Sequence, residues 1–452
     1  MAKNRVIYQS DALFVSKAVD STGFGAHAQL RRVQSANYSF NISRQDVNQF
    51  GQLARLEAVI LESPTVSFDT SYYLGDGFNE QALGFSNSAT DSVGFIKGQI
   101  EAGNTGQNFY ILSSPDGLDI VGDTSSTSKL STIGVGNAFL TDYSLEASVG
   151  SFPTVSCSFE GTNMNATSDL QGHAGGGYTA ISGVGIDAEA GTVITDFNNA
   201  VGVHLPQAVS GDGPSALRPG DITFSLANAS NDTIAILDSA GAAHVQSVSL
   251  SIPLSRTPID RLGSKFSFAR VVDFPITPSL SVSAIVSDTQ ERHLTKIIDD
   301  DGFISELSVT FKNSDVSNTQ QAKYTLKNVK LDSESFSSSI GPNKTVDLTF
   351  SLSVGGPNDT TNNVFFSGAN AISPFDVTAP VITLVGDNPF ALANGVTYVD
   401  PGVTVSGASV SAVVTDSTAV DKDTNGTYIV TYNVEDGAGN AATQVTRTVN
   451  VS

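Results

Sequence analysis

Two stretches of this chain carry nearly the same sequence, 212 positions apart when position 33 is matched to position 245. Residues 33–51 read VQSANYSFNISRQDVNQFG, and residues 245–263 read VQSVSLSIPLSRTPIDRLG. They align without a gap, and the apolar positions are kept along with the identical ones. An internal repeat of this length indicates one supersecondary unit that is used twice. The sequence therefore predicts two related halves.

A second pair of blocks follows in the same order in both halves. Residues 137–159 align without a gap to residues 328–350, which lie 191 positions later when 137 is matched to 328. Between the blocks, PTVSFD at 64–69 is similar to PSLSVS at 278–283. Because the blocks keep their order, we interpret the repeat as a duplication whose second copy is shorter.

Short alternating segments, interrupted by Gly, Asn, Asp and Ser, predict a mainly β protein. The 452 residues suffice for about three domains. We expect β-sandwich or barrel copies at 1–203 and 204–373, and a third unit at 374–452. The stretch FNEQALGF predicts one short helix with Asn79 as its N-cap. The predicted strands are 35–42, 53–61, 65–74, 108–113, 136–147 and 154–160 in the first copy, and 222–226, 247–254, 279–286, 305–311, 324–331 and 345–354 in the second.

The third unit alternates most regularly at 427–434 and 444–449. A turn rich in Gly, Asn and Asp joins these segments, so they read as a β-hairpin. About 75 residues of short alternating strands fit a small β-sandwich.

The composition excludes several classes of function. A net charge of −22 argues against a sequence-independent grip on nucleic acid and against an anionic membrane surface. The N-terminal residues lack the apolar core of a secretory signal, and no run of 18 apolar residues predicts a membrane span. We therefore expect a cytoplasmic protein without membrane insertion. The single cysteine, Cys157, lies in an apolar strand pattern that predicts a buried structural thiol.

No catalytic, cofactor or metal site emerges from the motifs. Asp421, Asp423 and Asn425 imitate the start of a calcium loop, but Tyr432 stands where a bidentate Glu is needed. The acidic stretch 299–302 reads as a turn. The histidines lack metal-ligand spacing; they are His27, His173, His204, His244 and His293. We expect neither enzyme activity nor a bound cofactor or metal.

The last unit resembles bacterial immunoglobulin-like domains of surface proteins. The resemblance is carried by APVI at 379–382, YVDPG at 398–402, GTY at 426–428 and VEDGAGN at 434–440. It implies an immunoglobulin-like (Ig-like) β-sandwich that decorates a surface and adheres weakly to cells or host glycans, without catalytic residues.

The first 370 residues resemble major tail tube proteins of long-tailed bacteriophages, and the stretch 33–85 carries the resemblance. The resemblance implies a structural virion protein whose β-sandwiches pair into rings that stack into a hollow tube for DNA ejection. Implied partners are the tape measure protein, the tail terminator and the baseplate or distal tail proteins. The implied location is the virion tail, after assembly in the host cytoplasm. Some relatives carry two fused tube folds and a terminal Ig-like domain, as here.

The duplication predicts a stoichiometry. A sixfold tube ring built from chains with two sandwiches each closes as a homotrimer. Positions that recur between the copies are then candidates for subunit contacts: Gln34 and Gln246, Arg44 and Arg256. If the lumen shares the acidic charge, DNA slides past without binding, and replacing luminal Asp and Glu by Lys should slow ejection. The terminal domain would obstruct a sheath, so we favour a non-contractile tail.

Two other functions fit parts of the chain. One is a bacterial or phage surface adhesin that ends in an Ig-like module, against which the missing signal peptide and the tube-like stretch argue. The other is an enzyme with a carbohydrate-binding module, which would need a catalytic constellation. Electron microscopy separates the readings, because a tube protein forms stacked rings.

Overall fold

A computed structural model of the chain describes two compact units, Met1–Asn370 and Ala371–Ser452. The described residues are 11–17, 27–101, 106–114, 119–120, 129–171, 222–227, 243–264, 266–267, 269–286, 303–313, 319–337, 345–370, 379–406, 413–434 and 442–452, with positions 104, 186–187, 192–193 and 217.

The first half of the larger unit is built from strands and two short helices, α1 (Phe78–Ala82) and α2 (Lys97–Ile100). Its strands are β1 (Asp11–Lys17), β2 (Ala28–Gln29), β3 (Val33–Asn41), β4 (Arg44–Val47), β5 (Glu57–Ile60), β6 (Thr65–Tyr73), β7 (Gln107–Ser113), β8 (Lys129–Ser148), β9 (Thr154–Gly161) and β10 (Asn163–Gln171), followed by the two-residue strands β11 (Ile186–Asp187) and β12 (Thr192–Val193).

The second half contains strands alone among its described residues. They are β13 (Ile222–Ala227), β14 (Ala243–Pro253), β15 (Arg256–Ile259), β16 (Ala269–Val272), β17 (Ser279–Val286), β18 (Phe303–Asn313), β19 (Thr319–Ser337), β20 (Thr345–Ser351) and β21 (Val364–Gly368). Alternation of polar and apolar residues explains strands such as β20, where every second side chain is buried.

The two halves repeat one pairing scheme. In the first, the antiparallel order is β1–β7–β8–β9–β6–β3, and in the second it is β13–β18–β19–β20–β17–β14. β10 adds to β8 as β21 adds to β19, and the hairpins β4–β5 and β15–β16 correspond. β8 also pairs with β14, which joins both halves into one 15-stranded sheet.

Unusual backbone conformations recur at the matched positions. Asn137 and Asn328 both have positive φ, 49° and 59°. Gly51 and Gly263, at the tips of the two hairpins, both have a φ of 85°. Side chains with a Cβ rarely adopt this left-handed region, so its recurrence indicates shared backbone geometry and not only shared composition.

Both halves contribute aromatic rings to one buried cluster where they meet. The hydroxyl oxygens of Tyr143 and Tyr324 lie 2.6 Å apart. The ring of Phe95 packs against both tyrosines and against Phe366, with centroid separations of 5.2, 5.8 and 5.3 Å. Buried aromatic pairs at such separations stabilise a core beyond the area that they bury.

The predicted helix is present, but its start differs from the prediction. Helix α1 begins at Phe78, and Gly77, with a φ of 93°, occupies the cap position. Asn79 was expected to cap the helix. Instead its side chain accepts the N–H of Arg31 and donates to the carbonyl of Arg31, at 2.8 and 2.7 Å. The side chain of Asn79 is buried, and its amide binds the backbone of Arg31 instead of capping the helix.

The smaller unit is a separate β structure. Its strands are β22 (Val381–Leu384), β23 (Phe390–Leu392), β24 (Val403–Ser406), β25 (Val414–Asp416), β26 (Gly426–Asn433) and β27 (Val445–Val451). β26 and β27 pair as the expected antiparallel hairpin. The guanidinium of Arg447 is fully buried and donates to the carbonyls of Val385, Asp387 and Gly402. One arginine thus ties the loops between strands to the core.

Candidate assembly interface

The junction between the two halves is an antiparallel strand pair. The last residues of β8 lie opposite β14, in a register that runs from Ser148 opposite Ser247 to Asp142 opposite Pro253. Two backbone hydrogen bonds extend it. The N–H of Val149 donates to the carbonyl of Gln246 at 2.9 Å, and at the other end the N–H of Leu254 donates to the carbonyl of Thr141 at 2.8 Å. We call this strand pair the internal junction.

Apolar side chains from both strands are buried at the internal junction. On β14 they are Val248, Leu250 and Ile252, each at most 2% exposed. On β8 they are Tyr143, Leu145 and Ala147, each at most 3% exposed. Burial of a side chain of this size stabilises by about 1.5–3 kcal/mol, so the strand pair is a major contact between the halves.

Arg256, on the hairpin β15–β16, binds backbone carbonyls of the first half near the internal junction. Its guanidinium donates to the carbonyl of Gln99 at 2.6 Å and to that of Leu140 at 3.2 Å. It also lies over the ring of Phe139, 5.1 Å from the centroid. Burial, with the nearby charge of Arg270, lowers the pKa of Arg256 to about 10. The arginine therefore connects the second half to two segments of the first.

The equivalent strand in the first half, β3, lies at an open edge of the sheet. Tyr38 and Phe40 occupy the positions of Leu250 and Ile252, yet they are 40% and 60% exposed. Among the described residues, β3 pairs with β6 on one side and with no strand on the other. An open strand with unpaired backbone groups and apolar side chains is a template for pairing with another chain.

The equivalent strand in the second half, β19, is open as well. Residues 332–337 are all exposed, whereas Tyr143 and Leu145 are buried in the matched part of β8. Phe336 occupies the position of Leu145 and is 52% exposed. β3 and the distal part of β19, residues 331–337, therefore correspond to the two strands of the internal junction, β14 and β8. We call them the open edges.

The sequence-predicted contact residues divide between these surfaces. Arg256 and Gln246 lie at the internal junction. Arg44 is exposed on β4, and Gln34 is exposed on β3, where its side chain donates to the carbonyls of Arg32 and Val33. The structure therefore brings one member of each pair into contact with the other half and leaves the equivalent member exposed, on β3 for Gln34 and on β4 for Arg44.

A row of seven serines crosses the outer face of the sheet. Directly opposed pairs connect them strand by strand from β3 to β20. In order they are Ser35, Ser71, Ser156, Ser144, Ser251, Ser279 and Ser351. Parallel rows on the same face contribute carboxylates, including those of Asp69, Glu146 and Asp347. Sequence reasoning missed this row, because its only signal was alternate serines in separate strands.

The two hairpins carry apolar side chains at their tips. Phe50 and Leu53 between β4 and β5, and Leu262 between β15 and β16, are fully exposed. Phe50 and Leu262 occupy matched positions next to the positive-φ glycines. Both halves therefore expose apolar side chains at equivalent points.

A buried carboxyl group lies beneath the sheet. The hydroxyl of Tyr72 donates to Oε1 of Glu80 at 3.0 Å, and Glu80 is 1% exposed. Burial raises the pKa of Glu80 to about 7. Burial likewise raises the pKa of the Cys157 thiol, so the expected buried structural cysteine is present.

Of the two acidic turns of the sequence, the structure describes the one at 421–425. In the part of the chain that the structure describes, no cluster of three His, Cys, Asp or Glu side chains could hold a metal ion. A carboxylate oxygen of Asp421 accepts the N–H of Asp423, as in a tight turn. The stretch 299–302 and His173, His204 and His293 lie outside the described residues. Neither described helix is long and apolar enough to cross a membrane.

Comparison with known proteins identifies one part of the chain. Residues 382–451 match the family model of the bacterial surface protein Ig-like domain. No curated protein matches the chain. The expected Ig-like domain is thus confirmed over these residues, and the fold is mainly β as predicted.

Proposed function

We propose that this chain is the structural subunit of a bacteriophage tail tube. Three copies join end to end into a closed ring, and the rings stack into a hollow tube through which DNA passes during ejection. The observation that carries this proposal is the pair of open edges. They have the strand positions of the internal junction, but in the described residues they do not pair with each other as β8 pairs with β14.

The geometry of a head-to-tail contact supports a closed ring. A heterologous contact forms a ring if its rotation closes and a filament if it does not. The relation between the two halves is available again at each open edge, so chains add without a new kind of interface. Six halves, the number in the tube rings that the sequence resembles, require three chains.

The serine-rich face fits the wall of such a tube. Small hydroxyl side chains present no apolar or basic group to which a DNA duplex would adhere. Three chains together carry a formal charge of −66, three times −22. Binding that depends on releasing counterions from phosphates needs Lys and Arg, and the carboxylates of Asp69, Glu146 and Asp347 provide the opposite charge. DNA would move along this face without being held.

The remaining surfaces take roles in the same assembly. The apolar hairpin tips provide contacts between stacked rings, and the ends of the tube meet the tape measure, terminator and baseplate or distal tail proteins. The Ig-like domain is displayed outside, where it adheres weakly to host surface glycans. A displayed domain of this size fits a tail without a contractile sheath. Neither catalysis nor a cofactor has a place in this function.

Electron microscopy of the concentrated, purified protein tests the proposal. Stacked hollow rings are expected, with a repeat of three chains around each ring. The match of residues 382–451 to a bacterial surface domain favours a second function, that of a surface adhesin. Dispersed monomers at high concentration would overturn the tube and support the adhesin.

A further inference from the structure

We propose that β3 of one chain pairs with the distal part of β19 of a second copy, in the antiparallel register that places Tyr38 opposite Phe336. This inference rests on the proposed function and specifies its subunit contact. The occupant of each open edge is a second copy of this chain. β3 corresponds to β14 in sequence and strand position, and β19 corresponds to β8. Because β14 and β8 pair at the internal junction, β3 and β19 are matched to pair between copies.

The register follows from the offsets of the repeat. Position 33 matches 245, and position 137 matches 328. At the internal junction Leu145 lies opposite Leu250. Transferring each strand to its counterpart converts this pair into Phe336 and Tyr38. The other pairs follow by moving in opposite directions along the two strands.

The apolar side of the pairing is preserved in this register. The exposed rings of Tyr38 and Phe336 cover one another, as Leu250 and Leu145 do within the chain. One pair departs from the internal junction, since Glu334 takes the place of Tyr143 and lies opposite Phe40. A slip by a single residue would turn every apolar side chain to the other face, which disfavours it.

The polar side continues without interruption across the contact. Ser335 of one chain lies opposite Ser39 of the next, which is already opposite Ser67 on β6. On its own chain, Ser335 lies opposite Asp347 of β20. The hydroxyl and carboxylate rows of one subunit therefore run directly into those of its neighbour.

Arg44 has a backbone acceptor in the second copy. The carbonyl of Leu140, which Arg256 binds, corresponds to the carbonyl of Leu331. A backbone acceptor recurs because it does not depend on side-chain identity. The ring of Phe139 does not recur, since Lys330 holds its position. Arg44 is therefore a positioning residue, and its one contact in the neighbouring chain is the backbone carbonyl of Leu331.

Cysteine pairs with exchanged partners test the register. Backbone bonds at both ends of the internal junction mark 149 with 246 and 141 with 254 as hydrogen-bonded pairs. Asn37 with Ser337 and Asn41 with Ser333 are then non-hydrogen-bonded pairs. Their Cα atoms are expected about 4.5 Å apart, within disulfide range. All four residues are exposed, and the native Cys157 is buried.

The matched variants are Asn37→Cys with Ser337→Cys and Asn41→Cys with Ser333→Cys. Mild oxidation should convert each into a covalent trimer on a non-reducing gel. The control variants use the same four positions in exchanged pairs, 37 with 333 and 41 with 337. There the Cα atoms lie roughly 13 Å apart along the strand, four residues out of register, so cross-linking should fall at least tenfold.

The outcomes separate the two proposals. Rings that form while the exchanged pairs cross-link as well as the matched pairs would overturn this register and leave the tube intact. Light scattering that shows only monomers for the unmodified chain would overturn the proposed function, and the register with it. Matched cross-linking with intact rings supports both.

Discussion

The internal junction and the open edges are two versions of one strand pair, and they differ in what covers them. Leu250 and Leu145 are 1% exposed at the internal junction, whereas their counterparts Tyr38 and Phe336 are 40% and 52% exposed. The sequence pattern, backbone pairing and apolar positions are shared. The difference therefore arises from the partner strand, which the chain supplies at the internal junction and which, in the proposed assembly, a second copy supplies at the open edges.

The largest expected effect separates stability from assembly. Leu250→Ala removes a buried side chain at the internal junction, and should lower the free energy of unfolding of the chain by about 2–5 kcal/mol. Tyr38→Ala should change it by less than about 0.5 kcal/mol, because Tyr38 is 40% exposed and, among the described residues, its strand is paired on one side alone, with β6. Urea denaturation of dilute monomer measures both.

In ring assembly, by contrast, we expect Tyr38→Ala to have the larger direct effect of the two variants. Tyr38→Ala is expected to prevent ring formation at concentrations where the unmodified chain forms rings. Equal loss of stability in both variants would contradict the comparison, since it would mean that Tyr38 is covered within one chain.

A titration sharpens the comparison at an intermediate magnitude. Glu80 is buried beneath the sheet near Tyr143 of the internal junction, and its pKa is raised from 4.5 to about 7. Between these values the folded chain holds a proton that the unfolded chain releases. The free energy of unfolding should therefore be highest at the acid end of this window and fall by about 3 kcal/mol as the pH rises to 7.

The variant Glu80→Gln should remove this part of the pH dependence. Its matched control is Glu334→Gln at an open edge, where the carboxyl is exposed and monomer stability should keep the dependence of the unmodified chain. Denaturant midpoints at pH 4.5 and 7 provide the measurement. The burial argument fails if Glu80→Gln retains the full slope.

The two arginines give the smallest expected difference. Arg256→Ala removes two hydrogen bonds from a half-buried cation, and should destabilise the monomer by about 1–3 kcal/mol. Arg44→Ala should leave the monomer unchanged and weaken ring assembly about tenfold, because its acceptor belongs to the next chain. Arg55→Ala is the control, since Arg55 lies on the same hairpin and pairs only with the exposed Asp46. Thermal denaturation and light scattering separate the two effects.

Alternation in the sequence identified most strands of the duplicated unit, because each buries one face. It could not supply the pairing of residues 142–148 with 247–253, which depends on strands far apart in the chain. For the same reason it missed the serine row, whose members share a line only once six pairings are in place. It also treated Arg44 and Arg256 alike, although Arg44 is exposed and Arg256 is half-buried and bonded to backbone carbonyls of the first half.

Local contacts overrode sequence signals at other points. Asn79 has the preferred residue type for a helix cap, but a nearby strand end offered its amide both a donor and an acceptor. Of the hairpin β4–β5, β4 was not predicted and β5 was predicted as the longer strand 53–61, because the exposed apolar tip imitates the pattern of a half-buried strand. The Ig-like unit was the most predictable, since its short motifs lie at turns that its fold requires.

Native mass spectrometry of the unmodified chain tests the central claim most directly. If each chain supplies one covered and one uncompleted junction, the assembled species has three times the mass of the 47.0 kDa chain, about 141 kDa. Stacking adds whole-number multiples of that mass. A monomer alone at every concentration would contradict the claim that three copies close the ring. Assemblies of two and four chains beside the monomer would contradict it as well.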